Sequence, residues 1–136
     1  LMDDAVAEFE RLAESPQVGL DELEQLAQAY TVRGRVLRDS ALLDAAENDF
    51  RRALSIFVED LIPVDSADAE YGRGVATCGR HYAVLLERMG HQQEADTEFA
   101  TALSLLQAAL KADPQNRAAR EDLALCQEYA GVFQRR

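Results

Sequence analysis

Proline, cysteine and cationic side chains are all scarce in this chain, and each scarcity excludes something. Three prolines in 136 residues leave room for long uninterrupted helices. The two cysteines, Cys78 and Cys126, form neither a disulfide framework nor a zinc pattern. Each lies in an apolar helical stretch, where cysteine behaves as a small hydrophobe, which suits a reducing compartment such as the cytoplasm. Lysine and arginine number 14 against 25 acids, a net charge of −11. An acidic surface repels phosphate backbones and anionic lipid, so neither nucleic acid nor membrane is the expected partner. No apolar run approaches the ~20 residues that span a bilayer. The opening residues Leu1-Met2-Asp3-Asp4 are acidic and lead into no signal core. A leucine ahead of Met2 suggests a segment of a longer protein.

What is present is helix-forming material. Apolar residues make up 48% and charged residues 29%, the profile of a globular chain. A single domain of this length buries roughly 68% of its unfolded surface, so the core needs no metal, disulfide or cofactor. Apolar positions recur with helical period throughout, and strand-like alternation is missing. Ser15-Pro16 through Gly19-Leu20 breaks the first helix from the next, and Asp21 with Glu24 reads as an N-terminal cap. Asp39-Ser40 marks a tight turn, Ile62-Pro63-Val64-Asp65-Ser66 the central break, and Gly90 a helix stop. Asp113-Pro114 reads as a cap followed by a first-turn proline. The expectation is an all-α fold of six helices, roughly 3–15, 21–39, 41–61, 67–89, 92–112 and 115–134, with short connections that make neighbours antiparallel.

An internal repeat organises these helices. Shifted by 49 residues, Ala46-Glu47-Asn48-Asp49-Phe50-Arg51-Arg52-Ala53-Leu54-Ser55 falls on Ala95-Asp96-Thr97-Glu98-Phe99-Ala100-Thr101-Ala102-Leu103-Ser104. The alanines, the phenylalanine, the leucine and the serine coincide, Leu37 falls on Leu86, and Ala27 on Ala76. A shift of 48 carries Ala76, Cys78 and Val84 onto Ala124, Cys126 and Val132. Ala46, Phe50 and Ala53 share one helix face, small residues admitting a neighbouring helix and the ring filling the space between. The preceding helix offers Tyr30 and Leu37 around Gly34; Tyr82 and Leu86 flank Ala83, and Tyr129 and Phe133 flank Gly131. One such pair buries part of its apolar surface and shares the rest with its neighbours.

This small–large–small pattern resembles the tetratricopeptide repeat. Tyr30, Gly34, Leu37, Ala46, Phe50 and Ala53 match its signature in one unit, and Ala83, Leu86, Ala95, Phe99 and Ala102 in the next. Ala109-Leu110-Lys111-Ala112-Asp113-Pro114 resembles the family's repeat ending, and Ala5, Phe9 and Leu12 look like the second half of an earlier unit. The unit is longer than the family's usual one, Gly79 stands where the first unit has Tyr30, and Arg33 stands where a leucine is expected. Similar long units occur in arrays attached to bacterial signalling proteins. The resemblance implies one domain over 1–136, an α–α superhelix of antiparallel helix pairs with a concave groove lined by the first helix of each pair.

No catalytic constellation stands out. Gly72-Arg73-Gly74 lacks the strand and the Gly-Lys-Ser/Thr of a phosphate loop. His81 and His91 lack a second ligand at metal spacing and read as surface or groove residues. Glu94, Asp96 and Glu98 read as a solvated helix face. The expectation is a binding module and not an enzyme.

Charge, by contrast, is sorted by helix. Arg33, Arg35 and Arg38 face only Asp39 over 31–40, and Arg73, Arg80 and Arg88 only Glu87 over 71–90. The stretch 41–70 holds eight acids against Arg51 and Arg52. Carried onto the family's groove, the lining is Gln28, Thr31, Arg35 and Arg38 in the first unit. The second unit supplies Thr77, Arg80, Val84 and Glu87 with Arg88 beside them, and the third Leu125, Glu128, Val132 and Arg135. Clustered guanidinium groups suit an acidic peptide or a terminal carboxylate, which they hold in bidentate fashion. A competing expectation is a structural spacer, or a homodimer through the terminal helices.

Overall fold

The computed structural model describes residues 2–64 and 69–134, with the side chains of 69 and 130–134 left aside. Within these, all regular structure is helical: α1 (Met2–Ala13), α2 (Leu20–Asp39), α3 (Leu43–Ser55), α4 (Ala69–Arg88), α5 (Gln92–Ala112) and α6 (Arg117–Gln134). The expected all-α class and its six helices are observed. Two compact units divide the chain between Tyr71 and Gly72, in the first turn of α4. Among the described residues no helix is long and apolar enough to cross a membrane.

In the first unit α2 packs against α1 and α3. Val6, Leu26, Ala27, Tyr30, Ala46, Phe50 and Ala53 are buried. At Gly34, α2 passes directly beneath the Phe50 ring of α3. The expected 41–61 helix is not uniform: α3 widens into a π-helical turn, Ile56–Leu61. Ile62 donates its N–H to the Phe57 carbonyl (2.9 Å), five residues back. The turn places Ile56, Phe57 and Leu61 all in the interior.

The second unit is α4, α5 and α6. Gly79 of α4 faces Glu98 of α5, α5 packs on α6, and Arg73 of α4 binds Asp122 of α6 (Nε–Oδ2, 3.0 Å). Phe99 sits between the buried Ala95 and Ala102, as Phe50 does between Ala46 and Ala53. Cys78 and Cys126 are buried, and neither forms a disulfide.

Residues 49 apart build the same turn. After α2, Ala41 N–H reaches the Arg38 carbonyl (3.0 Å) and Leu42 N–H the Leu37 carbonyl (2.9 Å). After α4, Gly90 N–H reaches the Glu87 carbonyl (3.0 Å) and His91 N–H the Leu86 carbonyl (2.8 Å). Both are Schellman closures, which need a left-handed residue: Ala41 (φ 64°) in one and Gly90 (φ 82°) in the other.

Two helix starts differ from expectation. Gly19, extended and with no side-chain cap bond, precedes α2, so Asp21 and Glu22 lie inside the first turn. There they act on the helix dipole through charge. Before α6 the cap is Asn116, whose Oδ1 accepts the Ala119 N–H (3.0 Å). Asp113 instead accepts from Gln115 N–H (3.1 Å) in the connecting turn. Positions 65–66 of the central break lie outside the described residues.

Candidate functional site

The first helices carry the expected lining, and the structure divides it. In the first unit Gln28 and Arg35 are exposed on α2. Thr31 is not: it is buried, and its hydroxyl donates to the Ala27 carbonyl (3.0 Å). Arg38 is mostly covered as well, its side chain 11% exposed and its Nε 3.2 Å from Asp39 Oδ1. The exposed stripe of α2 is instead Gln28, Val32, Arg35 and Val36, spaced four, three and one apart and centred away from Thr31.

In the second unit α4 and α6 stand side by side. The Arg80 guanidinium lies 5.6 Å from the centroid of the Tyr129 ring, a cation–π contact across the seam. Thr77, Val84 and Glu87 are half-buried on α4, and Arg88 is exposed. On α6, Leu125 (41%), Glu128 and Tyr129 (38%) are exposed. Because Gly79 faces α5, helical spacing turns Thr77, Arg80 and Val84 to other sides of α4. The second-unit lining and its third-unit continuation are joined at one contact, Arg80 over the Tyr129 ring. Tyr129 is a member of this contact that the reading of the repeat assigned to packing. The Val132 and Arg135 side chains lie outside the described ones.

Other expected roles change with burial. His81 is buried and is no surface or groove residue. His91 is exposed just before α5, its Nδ1 4.0 Å from Glu94. Cys126 is wholly buried, and that burial pushes its thiol up from the ordinary value, away from the reactive thiolate.

A second polar cluster sits in the first unit. Arg33 grips the buried Asp49 with two N–H donors (Nε–Oδ2 2.6 Å, Nη2–Oδ1 2.8 Å) and reaches Asp3 of α1 (3.3 Å). Tyr30 donates its hydroxyl to Glu10, and the Arg33 and Arg52 guanidinium groups each lie 5.7 Å from its ring centroid. Burial, then the bond to Glu10, pushes the Tyr30 phenol up to about 12, so it stays a donor. The departure at Arg33 thus has a cause: an ion pair fills the place of an expected leucine.

Across the repeat the same places hold different chemistry. Tyr30, Arg33 and Asp49 correspond to Gly79, Tyr82 and Glu98. No cation pairs with Glu98 among the described residues, and burial, then Glu94, pushes its carboxyl above the ordinary range. Among the described residues no three histidine, cysteine or acidic side chains converge as a metal site would require. Compared with known proteins, the chain matches no family model, no curated protein and no solved structure.

Proposed function

We propose that this chain is a protein-interaction module of the tetratricopeptide kind. The face shared by α4 and α6 takes a peptide or protein segment that presents a carboxylate next to an apolar side chain. The observation that carries this reading is Arg80 stacked on the exposed Tyr129; Leu125 precedes that ring by one turn on α6, and Val84 follows Arg80 by one turn on α4. A ring and a leucine left in water gain by being covered, and aromatic and arginine side chains are the usual anchors of such contacts. Arg35 and Gln28, exposed on α2, extend the same preference in the first unit.

Fluorescence anisotropy with paired synthetic peptides tests it, one carrying glutamate beside leucine and the other lysine in its place. The glutamate peptide should bind the tighter of the two and lose affinity as salt rises. Arg80→Ala or Leu125→Ala should weaken it about tenfold. Unchanged affinity and salt dependence in both variants would exclude this face.

A further inference from the structure

The seam between α4 and α6 carries two cross-links of different character. Arg73 Nε donates to Asp122 Oδ2 (3.0 Å), and the Arg80 guanidinium lies 5.6 Å from the Tyr129 ring centroid. Seven residues separate Arg73 from Arg80 on α4, and seven separate Asp122 from Tyr129 on α6. Each arginine therefore meets the residue 49 places further along the chain, so the two helices run parallel in a single axial register. Between Asp122 and Tyr129 on α6 comes Cys126, wholly buried, with Arg80 and Asp122 both close enough to act on its thiol electrostatically. So small a side chain interlocks little and offers weak resistance to sliding. The repeat itself demands neither arginine: 49 residues before them stand Glu24 and Thr31, although Ala27 and Ala76 hold the same buried place.

We propose that the Arg73–Asp122 pair is a register pin, setting the axial position of α6 on α4 and so the placement of Arg80 over Tyr129. Asp122 is then a positioning residue for peptide binding, acting through Arg80. The inference rests on the α4–α6 face being the binding surface. The two cross-links differ in what they can fix. A guanidinium over a ring tolerates lateral shift, because the attraction is spread over the π face. A charge-assisted hydrogen bond is lost within about 1 Å. Both partners of the pair are mostly covered, their side chains 23% and 18% exposed, so salt screens their attraction less than at an open surface. Without the pair, α6 can slide until guanidinium and ring are no longer presented together. Charge alone predicts the opposite outcome. Asp122 is an acid beside a face that takes acids, so a cation in its place makes that face more attractive to an acidic peptide.

Wild type, Asp122→Arg, Arg73→Glu and the double variant Arg73→Glu, Asp122→Arg test it through two readouts. Circular dichroism first checks that helix content is kept; Asp122→Ala, which removes the pair without adding repulsion, stands in for a reversal that does not fold. In NMR spectra the Arg80 side-chain protons of wild type should be shifted upfield by the Tyr129 ring, a shift that Tyr129→Leu abolishes. Each single reversal should abolish it too, and the double variant should restore it. In fluorescence anisotropy Asp122→Arg should bind the glutamate peptide about fivefold more weakly despite its added positive charge, and the double variant should regain most of the affinity. An Arg80 signal unchanged in Asp122→Arg overturns the proposal, as does tighter peptide binding by that variant. A wild type that binds no peptide while its Arg80 signal follows the expected pattern would uphold the pin and overturn the reading of the face.

Discussion

Gly34 lies beneath Phe50: a Cβ on residue 34 would come within 2.8 Å of the Phe50 ring at Cε1 and 2.9 Å at Cδ1. The ring is wholly buried and cannot swing aside into solvent. Gly34→Ala gains up to ~1 kcal/mol in helix propensity but forces overpacking that costs ~1–3 kcal/mol. A net loss of about 1 kcal/mol in urea unfolding is expected. An alanine variant as stable as wild type would mean the two helices do not meet here.

The paired turns give a reciprocal experiment. Ala41 adopts a left-handed conformation that costs a residue with a Cβ roughly 1–2 kcal/mol, while Gly90 adopts the same conformation freely. No atom would obstruct a Cβ at Gly90, so only the backbone term enters there. Ala41→Gly should stabilise by up to ~1 kcal/mol and Gly90→Ala should destabilise by about as much. Thermal denaturation of both variants checks the opposite signs.

Arg33→Leu restores the residue type that the repeat pattern favours, yet it strands a buried carboxylate at Asp49. Removing one partner of a buried pair costs ~3–5 kcal/mol, whereas replacing both with apolar groups is often neutral. The single variant should be strongly destabilised, and the double variant Arg33→Leu, Asp49→Ala should recover most of the loss. A double-mutant cycle on unfolding free energies measures this directly.

How much was legible in the sequence follows from where the information lies. Ala46, Phe50 and Ala53 announce their face by spacing alone, and the same is true of Ala95, Phe99 and Ala102; both sets are buried. The turns after α2 and α4 were legible from local signals, Asp39-Ser40 in one and Gly90 in the other, while their common hydrogen-bond pattern shows only in the structure. Periodicity gives an angle around a helix and does not say which neighbour covers it. That is why Thr31 and Arg38 entered the expected lining although packing covers them. The Arg33–Asp49 pair joins two helices 16 residues apart, and nothing local marks it. The π-helical turn at Ile56–Leu61 leaves no signature, since its apolar residues also suit an α-helix. Asp113 and Asn116 are both good caps, and only the observed Asn116 bond decides between them.

Glu98 makes the second unit sensitive to pH. Burial, and then repulsion from Glu94, raise its carboxyl pKa in the folded state above the unfolded one. Protonation therefore favours folding. The contribution is fully present below the ordinary glutamate range, ~4.3, and is lost as pH climbs through the raised folded value. Glu98→Gln, which mimics the neutral form, should raise the melting temperature at neutral pH. That advantage should shrink as pH falls toward the ordinary range. An advantage independent of pH would assign the effect to packing.

The equivalence of the two units can be weighed with a matched pair of substitutions. Chemical denaturation of Phe50→Ala and Phe99→Ala compares two rings 49 residues apart, each buried between small residues. Each variant should lose ~3–5 kcal/mol of unfolding free energy, the cost of emptying a packed aromatic site. A loss below ~1 kcal/mol at either position, well under that cost, would contradict the shared register on which the fold and the binding face are built.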